Sequence, residues 1–191
     1  MDFPWDDRWQ LKKDEAIPAA DSWLRKHRNL LSGGIALDLA CGRGRNSLFL
    51  ADMGYQVLAL DSSRVALKLL SSAATEKRLA IKVLPHNLES GVPAKPEAFD
   101  LILCFYYLQR SLFPAIKTRI APGGLFIGRS FCQHDSGNEA SEIIYEPGEL
   151  AELFADWEIL AYEEGVEVAQ RGGTLAGIVA RKPAKGANPN S

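Results

Sequence analysis

The feature that most constrains the fold is a regular alternation of short aliphatic runs and amphipathic stretches, beginning at Ile35. Such alternation is typical of a parallel sheet covered by helices on both faces. The predicted strands are residues 35–40, 56–60, 81–85, 99–104 and 125–131. Apolar residues recur at three- and four-residue intervals between them and predict helices at 45–53, 63–76 and 112–120. The pattern therefore predicts an α/β protein with a doubly wound sheet.

The last third of the chain departs from this alternation. Residues 146–150 predict the start of a helix, and residues 157–168 and 174–181 are strand-like runs joined through a turn at 170–173. Two strands with so short a connection form an antiparallel hairpin. We therefore expect a Rossmann-like sheet whose final strand is reversed.

Three segments differ in composition. Residues 1–34 contain Trp5, Trp9 and Trp23 among charged residues, and they predict a helical N-terminal segment. These tryptophans either anchor a helix to the sheet or belong to a lid over a ligand. Residues 35–182 are the predicted main domain, and residues 183–191, rich in Lys, Gly, Pro and Asn, predict a disordered tail.

Composition excludes several functions. The 22 Lys and Arg residues and 24 Asp and Glu residues are scattered along the 191-residue chain, which does not give the basic footprint of a nucleic-acid-binding protein. No apolar run approaches the roughly 20 residues that cross a bilayer, and the acidic first residues do not resemble a secretion signal. Cys41, Cys104 and Cys132 fit neither zinc-finger nor disulfide spacing. We expect a cytoplasmic protein with no membrane or nucleic-acid partner.

The strongest local signal is a loop of small residues after the first predicted strand. Gly42 and Gly44 permit a sharp turn and a close approach to a ligand, and the helix that follows presents unpaired amides. A dinucleotide site requires a third glycine where this chain has Ser47, and it gains nothing from the carboxylate of Asp38. A ligand with an amino group and a sulfonium does gain from it, which indicates S-adenosylmethionine.

A second acid supports this interpretation. Asp61 closes the second predicted strand, 17 positions after Gly44 (61 − 44 = 17), close to where this architecture places a carboxylate against ribose hydroxyls. The glycine loop and the acid together predict an adenosine-containing cofactor.

These residues also carry a resemblance to a known family. Residues 38–44, Asp61, 99–102 and 121–124 resemble the ordered motifs of class I S-adenosylmethionine-dependent methyltransferases. Residues 41–51 and 146–150, with Trp157 and Glu158, resemble the tellurite-resistance methyltransferase family within that superfamily. The resemblance implies the strand order 3-2-1-4-5-7-6 with strand 7 antiparallel. It also implies that residues 5–9 fold over the cofactor as a lid.

The resemblance assigns roles to individual residues. It places Asp38 and the backbone of Ala40, Gly42 and Gly44 on the methionine part, and Asp61 on the ribose. It places Ser62, Asn87 and Leu88 near the adenine, and Cys104, Phe105 and Tyr106 beside the sulfonium and the approach to the methyl group. The remaining expected cofactor-binding residues are Trp5, Arg8, Trp9, Cys41, Arg43, Asn46 and Ser47.

Methyl transfer is an in-line displacement that requires mainly orientation and exclusion of water. A phenol or amine acceptor benefits from a general base, whereas a thiolate or reduced chalcogen does not. The candidates for a catalytic residue are His134 and Tyr107, and no metal is expected. The expected acceptor is a small molecule, either a tellurium or selenium oxyanion or a thiol.

Two other functions fit part of the pattern. A protein that binds S-adenosylmethionine without transferring the methyl group, such as a sensor, would keep Asp38 and Asp61. A dinucleotide oxidoreductase is a poorer match, because Ser47 replaces the third glycine and no substrate domain is evident.

Overall fold

The computed structural model describes residues 4–93, 98–132, 144–168 and 174–184. The chain divides into two compact units, Met1–Pro93 and Ala94–Ser191. The elements of the first unit are α1 (Pro4–Leu11), α2 (Ser22–Lys26), β1 (Gly34–Leu39), α3 (Arg45–Asp52), β2 (Tyr55–Asp61), α4 (Arg64–Glu76) and β3 (Ile81–Pro85). Those of the second unit are β4 (Phe99–Phe105), α5 (Phe113–Arg119), β5 (Ile120–Cys132), α6 (Glu149–Glu152), β6 (Glu158–Val168) and β7 (Thr174–Arg181). Single 3₁₀ turns cover Arg28–Leu30, Leu88–Ser90 and Arg110–Leu112.

The seven strands have the order β3-β2-β1-β4-β5-β7-β6. Strands β1, β2 and β3 pair in parallel, as do β4 and β5, whereas β7 pairs antiparallel with both β5 and β6. The predicted Rossmann-like α/β fold, its strand order and its reversed final strand are therefore confirmed.

Strand β5 is longer than the sequence predicts. It begins at Ile120, so the Pro-Gly-Gly segment predicted as a preceding turn lies within the strand. A register shift absorbs this segment, since Phe99 pairs with Ile120 and Leu101 pairs with Leu125. The backbone of Gly123 and Gly124 is hydrogen-bonded with that of Lys182, and these pairs extend the strand.

In the first unit, the two strands that carry the site are almost fully buried. The last four residues of β1 and the last five of β2 are buried, which is expected of parallel strands covered on both faces. Helix α4 buries Leu67 and Leu70, and its N-cap residue Ser63 accepts a hydrogen bond from the backbone N–H of Ala66 at 3.1 Å.

In the second unit, an aromatic cluster fills the core. The Phe126 and Phe154 rings stack with centroids 4.6 Å apart, and Phe113 and Trp157 pack edge-on against this pair. Within the described residues, no helix is long and apolar enough to span a membrane. The predicted tail lies outside the described residues from position 185 onward.

Candidate functional site

The loop between β1 and α3 follows a left-handed backbone path at three positions. Ala40, Gly42 and Gly44 have φ values of 52°, 55° and 76°. The Cys41 amide donates to the carbonyl of Leu60 at 2.9 Å, and the Gly44 amide donates to the carbonyl of Cys41 at 2.9 Å. Both glycines therefore occupy positions where an L side chain is strained.

The two glycines also meet neighbouring side chains of the protein. A Cβ atom on Gly44 would lie 2.3 Å from Cδ1 of Leu70, and one on Gly42 would lie 3.0 Å from Cζ2 of Trp9. The sequence predicts close approach of a ligand at this loop. The structure shows that Leu70 of α4 also occupies the space a side chain would need at Gly44, and that Trp9 of α1 lies close to Gly42.

Asp38, in β1, is a buried carboxyl group. Its residue is 2% exposed, and Oδ2 accepts a hydrogen bond from Ser47 Oγ at 2.6 Å. Burial raises the pKa of Asp38 to about 7, and the Ser47 hydrogen bond opposes this shift while the nearby Asp61 charge adds to it. Asp38 therefore titrates near neutral pH, and a cation placed beside it would favour the ionised carboxylate.

Asp61, at the end of β2, joins two backbone segments. Its Oδ2 accepts from the amide of Gly42 at 2.7 Å, and its Oδ1 accepts from the amide of Ser63 at 2.8 Å. Burial raises its pKa, and these two amides lower it. A carboxylate oxygen accepts more than one hydrogen bond, so Asp61 retains capacity for the hydroxyls of a ribose.

Cys41 lies beside both acids. Burial raises the pKa of its thiol well above the ordinary value, and the charges of Asp38 and Asp61 raise it further. Cys41 is therefore a neutral thiol, which suits packing against a ligand and not nucleophilic attack.

Helix α1 packs against this loop. Asp6 accepts hydrogen bonds from the Ser63 hydroxyl and from the amide of Val65 at 3.3 Å, at the start of α4. The Arg8 guanidinium lies 5.1 Å from the centroid of Trp5 and 5.7 Å from that of Trp9. Trp9 thus contacts the predicted cofactor loop, whereas the indole of Trp5 is half exposed.

Arg43 of the loop and Asn46 of α3 direct their side chains toward the N-terminal segment. Asn46 accepts from the backbone amide of Asp21 at 2.9 Å through Oδ1, and Arg43 donates to the carbonyls of Lys12 and Glu15. The neighbouring Arg45 forms an ion pair with Asp21 at 3.0 Å. The side chains of Asn46 and Arg43 therefore hold the segment that precedes β1.

Of the predicted adenine-binding residues, Ser62 follows β2, whereas Asn87 and Leu88 lie after β3. Leu88 is buried and Ser62 is partly buried. Asn87 is exposed, and its Oδ1 accepts from the Glu89 amide at 3.0 Å, so the side-chain oxygen of this residue caps a 3₁₀ turn. His86, at the end of the same strand, contacts the Gly91 carbonyl at 2.6 Å through Nε2.

The expected acceptor-side residues belong to the second unit. Cys104 and Phe105 are buried at the end of β4, and Tyr106 follows with φ 57° and 40% exposure. The Tyr106 amide donates to the Arg129 carbonyl at 2.8 Å, and its ring lies 5.6 Å from that of Phe131. This exposed aromatic residue is held in a backbone conformation that is costly for a bulky side chain.

Of the two candidate catalytic residues, the structure describes Tyr107 and not His134. Tyr107 donates its hydroxyl hydrogen bond to Gln109 Oε1 at 2.6 Å, and its carbonyl accepts from the thiol of Cys104 at 3.4 Å. His134 lies outside the described residues. Among the described residues, no group of three or more His, Cys, Asp or Glu side chains is arranged to hold a metal ion.

Sequence reasoning missed three residues that organise the site: Asp6, Asp21 and Ser63. Asp6 lies within the residue 5–9 segment, whose aromatic and basic side chains give the stronger sequence signal. Asp21 and Ser63 are helix N-cap residues in the structure. An acid or hydroxyl residue directly before a helix is a recognisable signal, so both were detectable as caps, though their additional partners were not.

The chain is similar in sequence to several known proteins. A family model described as tellurite resistance protein TehB matches residues 6–174. A hemagglutinin 1 of Eikenella corrodens is 31% identical over 163 residues, which cover 81% of this chain and 54% of that protein. A probable S-adenosyl-L-methionine-dependent methyltransferase TehB of Haemophilus influenzae is 27% identical over 139 residues, covering 68% of this chain and 48% of that protein. The chain thus spans about half the length of these curated relatives.

Solved structures agree on the fold. The crystal structure of TehB from Haemophilus influenzae matches with a TM-score of 0.76 and 22% identity, covering 93% of this chain and 67% of that one. A methyltransferase structure from Aquifex aeolicus, described as dependent on S-adenosylmethionine, matches with a TM-score of 0.67 and 16% identity, covering 94% of this chain and 99% of that one. At these identities the likeness shows a shared fold.

Proposed function

Because the chain belongs to the family of the tellurite resistance protein TehB, we propose that it is an S-adenosylmethionine-dependent methyltransferase acting on a small molecule. The Haemophilus influenzae relative, a probable S-adenosyl-L-methionine-dependent methyltransferase, supports the cofactor and the reaction. The chain spans about half of that relative, so the proposal rests equally on the chemistry of the first unit.

The observation that carries the proposal is the pair of buried carboxyl groups at the glycine loop. Asp38 is the penultimate residue of β1 and Asp61 ends the adjacent parallel strand β2, and Asp61 is hydrogen-bonded to the loop through Gly42. The Asp38 carboxyl beside the loop disfavours a pyrophosphate and favours a ligand with positive charge, and Asp61 suits a ligand with vicinal hydroxyls. S-adenosylmethionine has a sulfonium, an ammonium and a ribose diol, so the residues present fit it.

The cofactor supplies an electrophilic methyl group on a sulfonium, and the chain supplies binding, orientation and exclusion of water. Asp38 ionises beside the positive charge, which compensates for the cost of burying the carboxylate. Asp61 accepts from the ribose hydroxyls while it keeps the loop amide of Gly42 bound. The residues expected to hold the cofactor lie in the glycine loop, at the end of β2 and in the segment after β3.

For the acceptor, the aromatic residues of the second unit favour a thiol over a tellurium or selenium oxyanion. The exposed ring of Tyr106 packs against Phe131, and the faces of aromatic rings carry negative electrostatic potential. Such faces favour the apolar, polarisable body of a thiol over a compact, strongly hydrated oxyanion. A thiolate also needs no dedicated base at the transfer step, in keeping with the engagement of the Tyr107 hydroxyl by Gln109.

The first test is calorimetric titration of the purified protein with S-adenosylmethionine, S-adenosylhomocysteine and NAD. Micromolar binding of the first two ligands, with no binding of NAD, is expected. Methyl transfer is then measured with an aliphatic thiol, an aromatic thiol, selenite and tellurite. Turnover of thiols but not oxyanions supports the proposed acceptor, and turnover of tellurite alone contradicts it.

The alternative is that the protein binds S-adenosylmethionine without transferring its methyl group. Binding of both adenosyl ligands with no transfer to any acceptor in a broad panel would favour it. If neither adenosyl ligand bound to a protein shown to be folded, the cofactor assignment would be rejected.

The three free cysteines support our further proposal that the protein acts in the reducing cytoplasm.

A further inference from the structure

Arg43 is a buried guanidinium at the C-terminal end of α1. Its side chain is 7% exposed. Its Nη1 donates to the carbonyl of Lys12 at 2.6 Å and to the carbonyl of Glu15 at 2.8 Å, while Nη2 lies 3.7 Å from the Glu15 carboxylate. These carbonyls belong to residues 12–15, directly after α1, so Arg43 holds the chain at the C-terminal end of the helix from the side of the glycine loop.

The same guanidinium contacts the tryptophan that covers the loop. The Cζ atom of Arg43 lies 5.6 Å from the ring centroid of Trp9, within the range of a cation–π interaction. On its other side, Trp9 approaches Gly42 so closely that a Cβ there would be 3.0 Å from its ring. Arg43 therefore contacts both the segment that follows α1 and the Trp9 side chain that α1 presents.

The N-terminal half of α1 has a separate attachment. Asp6 accepts from the hydroxyl of Ser63 and the amide of Val65. Ser63 in turn donates its amide to Asp61. Helix α1 is thus attached at one end through Asp6 and at the other through Arg43, and the Trp9 ring lies over the loop in the stretch between them.

Helix α1 depends on these attachments. It has only eight residues, and so short a helix is marginal in water unless tertiary contacts hold it. A guanidinium also loses much of its hydration on burial, so a buried arginine without a structural or functional role is rare. The attachments therefore determine where Trp9 and Arg8 lie.

We propose that Arg43 is a positioning residue, which fixes the C-terminal end of α1 and thereby holds Trp9 against the glycine loop that receives the cofactor. The inference rests on the proposed cofactor site, but the attachment of α1 is independent of it. The family resemblance assigns residue 43 to cofactor binding. The structure instead directs its guanidinium to α1, so its effect on the cofactor passes through Trp9.

The experiment is a double-mutant cycle with Arg43→Gln, Trp9→Ala and the combined variant, each checked for folding by far-UV circular dichroism. Dissociation constants for S-adenosylhomocysteine are measured by calorimetry. Each single substitution is expected to weaken binding about tenfold, and the double variant also about tenfold, because Arg43 acts through Trp9. A multiplicative loss of about a hundredfold in the double variant, or unchanged affinity in Arg43→Gln, would overturn the proposal.

Two further variants separate positioning from general stability. Arg25→Gln is the matched control, because Arg25 Nε also donates to a carbonyl of the N-terminal segment, that of Ala20 at 3.0 Å, away from α1. It is expected to leave the dissociation constant unchanged. Arg43→Lys keeps the charge but not the planar guanidinium that reaches two carbonyls, and it is expected to restore binding only in part.

A measurement without ligand keeps the two proposals distinguishable. Limited trypsin digestion of the ligand-free protein is expected to cleave after Lys12 and Lys13 at least about threefold faster in Arg43→Gln than in the wild type or Arg25→Gln. Equal cleavage rates would overturn the positioning role. If the wild type bound no S-adenosylhomocysteine, the proposed function would fail, and the digestion would still decide whether Arg43 holds α1.

Discussion

The backbone amide of Gly42 donates a 2.7 Å hydrogen bond to Oδ2 of Asp61. This bond ties the loop after β1 to the end of β2, and the second oxygen of Asp61 ties both to the start of α4 through the amide of Ser63. The acid expected to bind a ribose therefore also sets the path of the loop expected to bind the methionine part. Substitutions at this residue should affect both parts of the ligand.

Replacing Asp61 with asparagine should weaken binding of S-adenosylhomocysteine by about 10- to 100-fold. An asparagine presents one acceptor oxygen and one NH₂ group, so the NH₂ group would face the donor amide of either Gly42 or Ser63. Calorimetry measures the loss. Asp52→Asn, at the exposed end of α3, is the matched control and should bind as the wild type does; an unaffected Asp61→Asn variant would remove Asp61 from the site.

Asp38 should make cofactor binding depend on pH. Its pKa of about 7 means that the carboxyl is mostly protonated at pH 6 and must ionise beside a cationic ligand. Affinity for S-adenosylmethionine should rise several-fold between pH 6 and pH 7.5, with release of a proton on binding. Calorimetry in buffers of different ionisation enthalpy checks this, and Asp38→Asn should abolish the proton release. An absence of proton release in the wild type contradicts the assignment.

The same residue should destabilise the ligand-free protein above neutral pH. The folded-state pKa of Asp38 lies above its ordinary value of 3.8, so the native protein binds more protons than the unfolded chain between these values. Its contribution to the free energy of unfolding therefore falls as pH rises from about 4 to about 7. Asp38→Asn should be more stable than the wild type at pH 8 by about 2–4 kcal/mol. Urea unfolding at pH 5 and pH 8 measures the difference, and a less stable variant at pH 8 would contradict it.

Gly44→Ala should destabilise the protein more than Gly54→Ala. Both positions have positive φ, at 76° and 90°, but only at Gly44 would the new methyl group overlap Leu70, whereas nothing lies within 4 Å at Gly54. We expect a loss of about 1 kcal/mol at Gly54 and about 2–4 kcal/mol at Gly44. Chemical denaturation measures both. Adding Leu70→Ala to Gly44→Ala should cost less than Leu70→Ala costs alone in the wild type, and simple additivity would argue against the overlap.

Tyr106 should affect the acceptor and not the cofactor. Tyr106→Gly relieves the strain of a φ of 57° and removes the exposed ring, so its stability should change little. Its kcat/KM for an aromatic thiol should fall about tenfold or more, while its dissociation constant for S-adenosylhomocysteine stays within about twofold of the wild type. Steady-state kinetics and calorimetry test the pair of expectations. Unchanged kcat/KM would remove Tyr106 from the acceptor side.

In the first unit, the sequence identifies residues of the candidate site but not their surroundings. Asp38, Gly42, Gly44 and Asp61 are all identifiable from their positions at the ends of strands and in the loop, because that signal lies within a few residues. What the sequence could not show is the environment of each group. Trp9 lies 33 positions before Gly42 in the chain (42 − 9 = 33), and nothing local to either residue indicates that they pack together.

The sequence by itself determined the alternation of strands and helices, the reversed final strand, and the residues of the loop and its two acids, since periodicity and turn chemistry are local properties. The tertiary structure alone decided that Leu70 and Trp9 occupy the space beside the two glycines, that Ser47 is the partner of Asp38, and that Arg43 turns toward α1. These partners are distant in the chain or on separate elements. Which of them meet depends on how whole elements pack, because burial and long-range hydrogen bonds form only when the fold is complete.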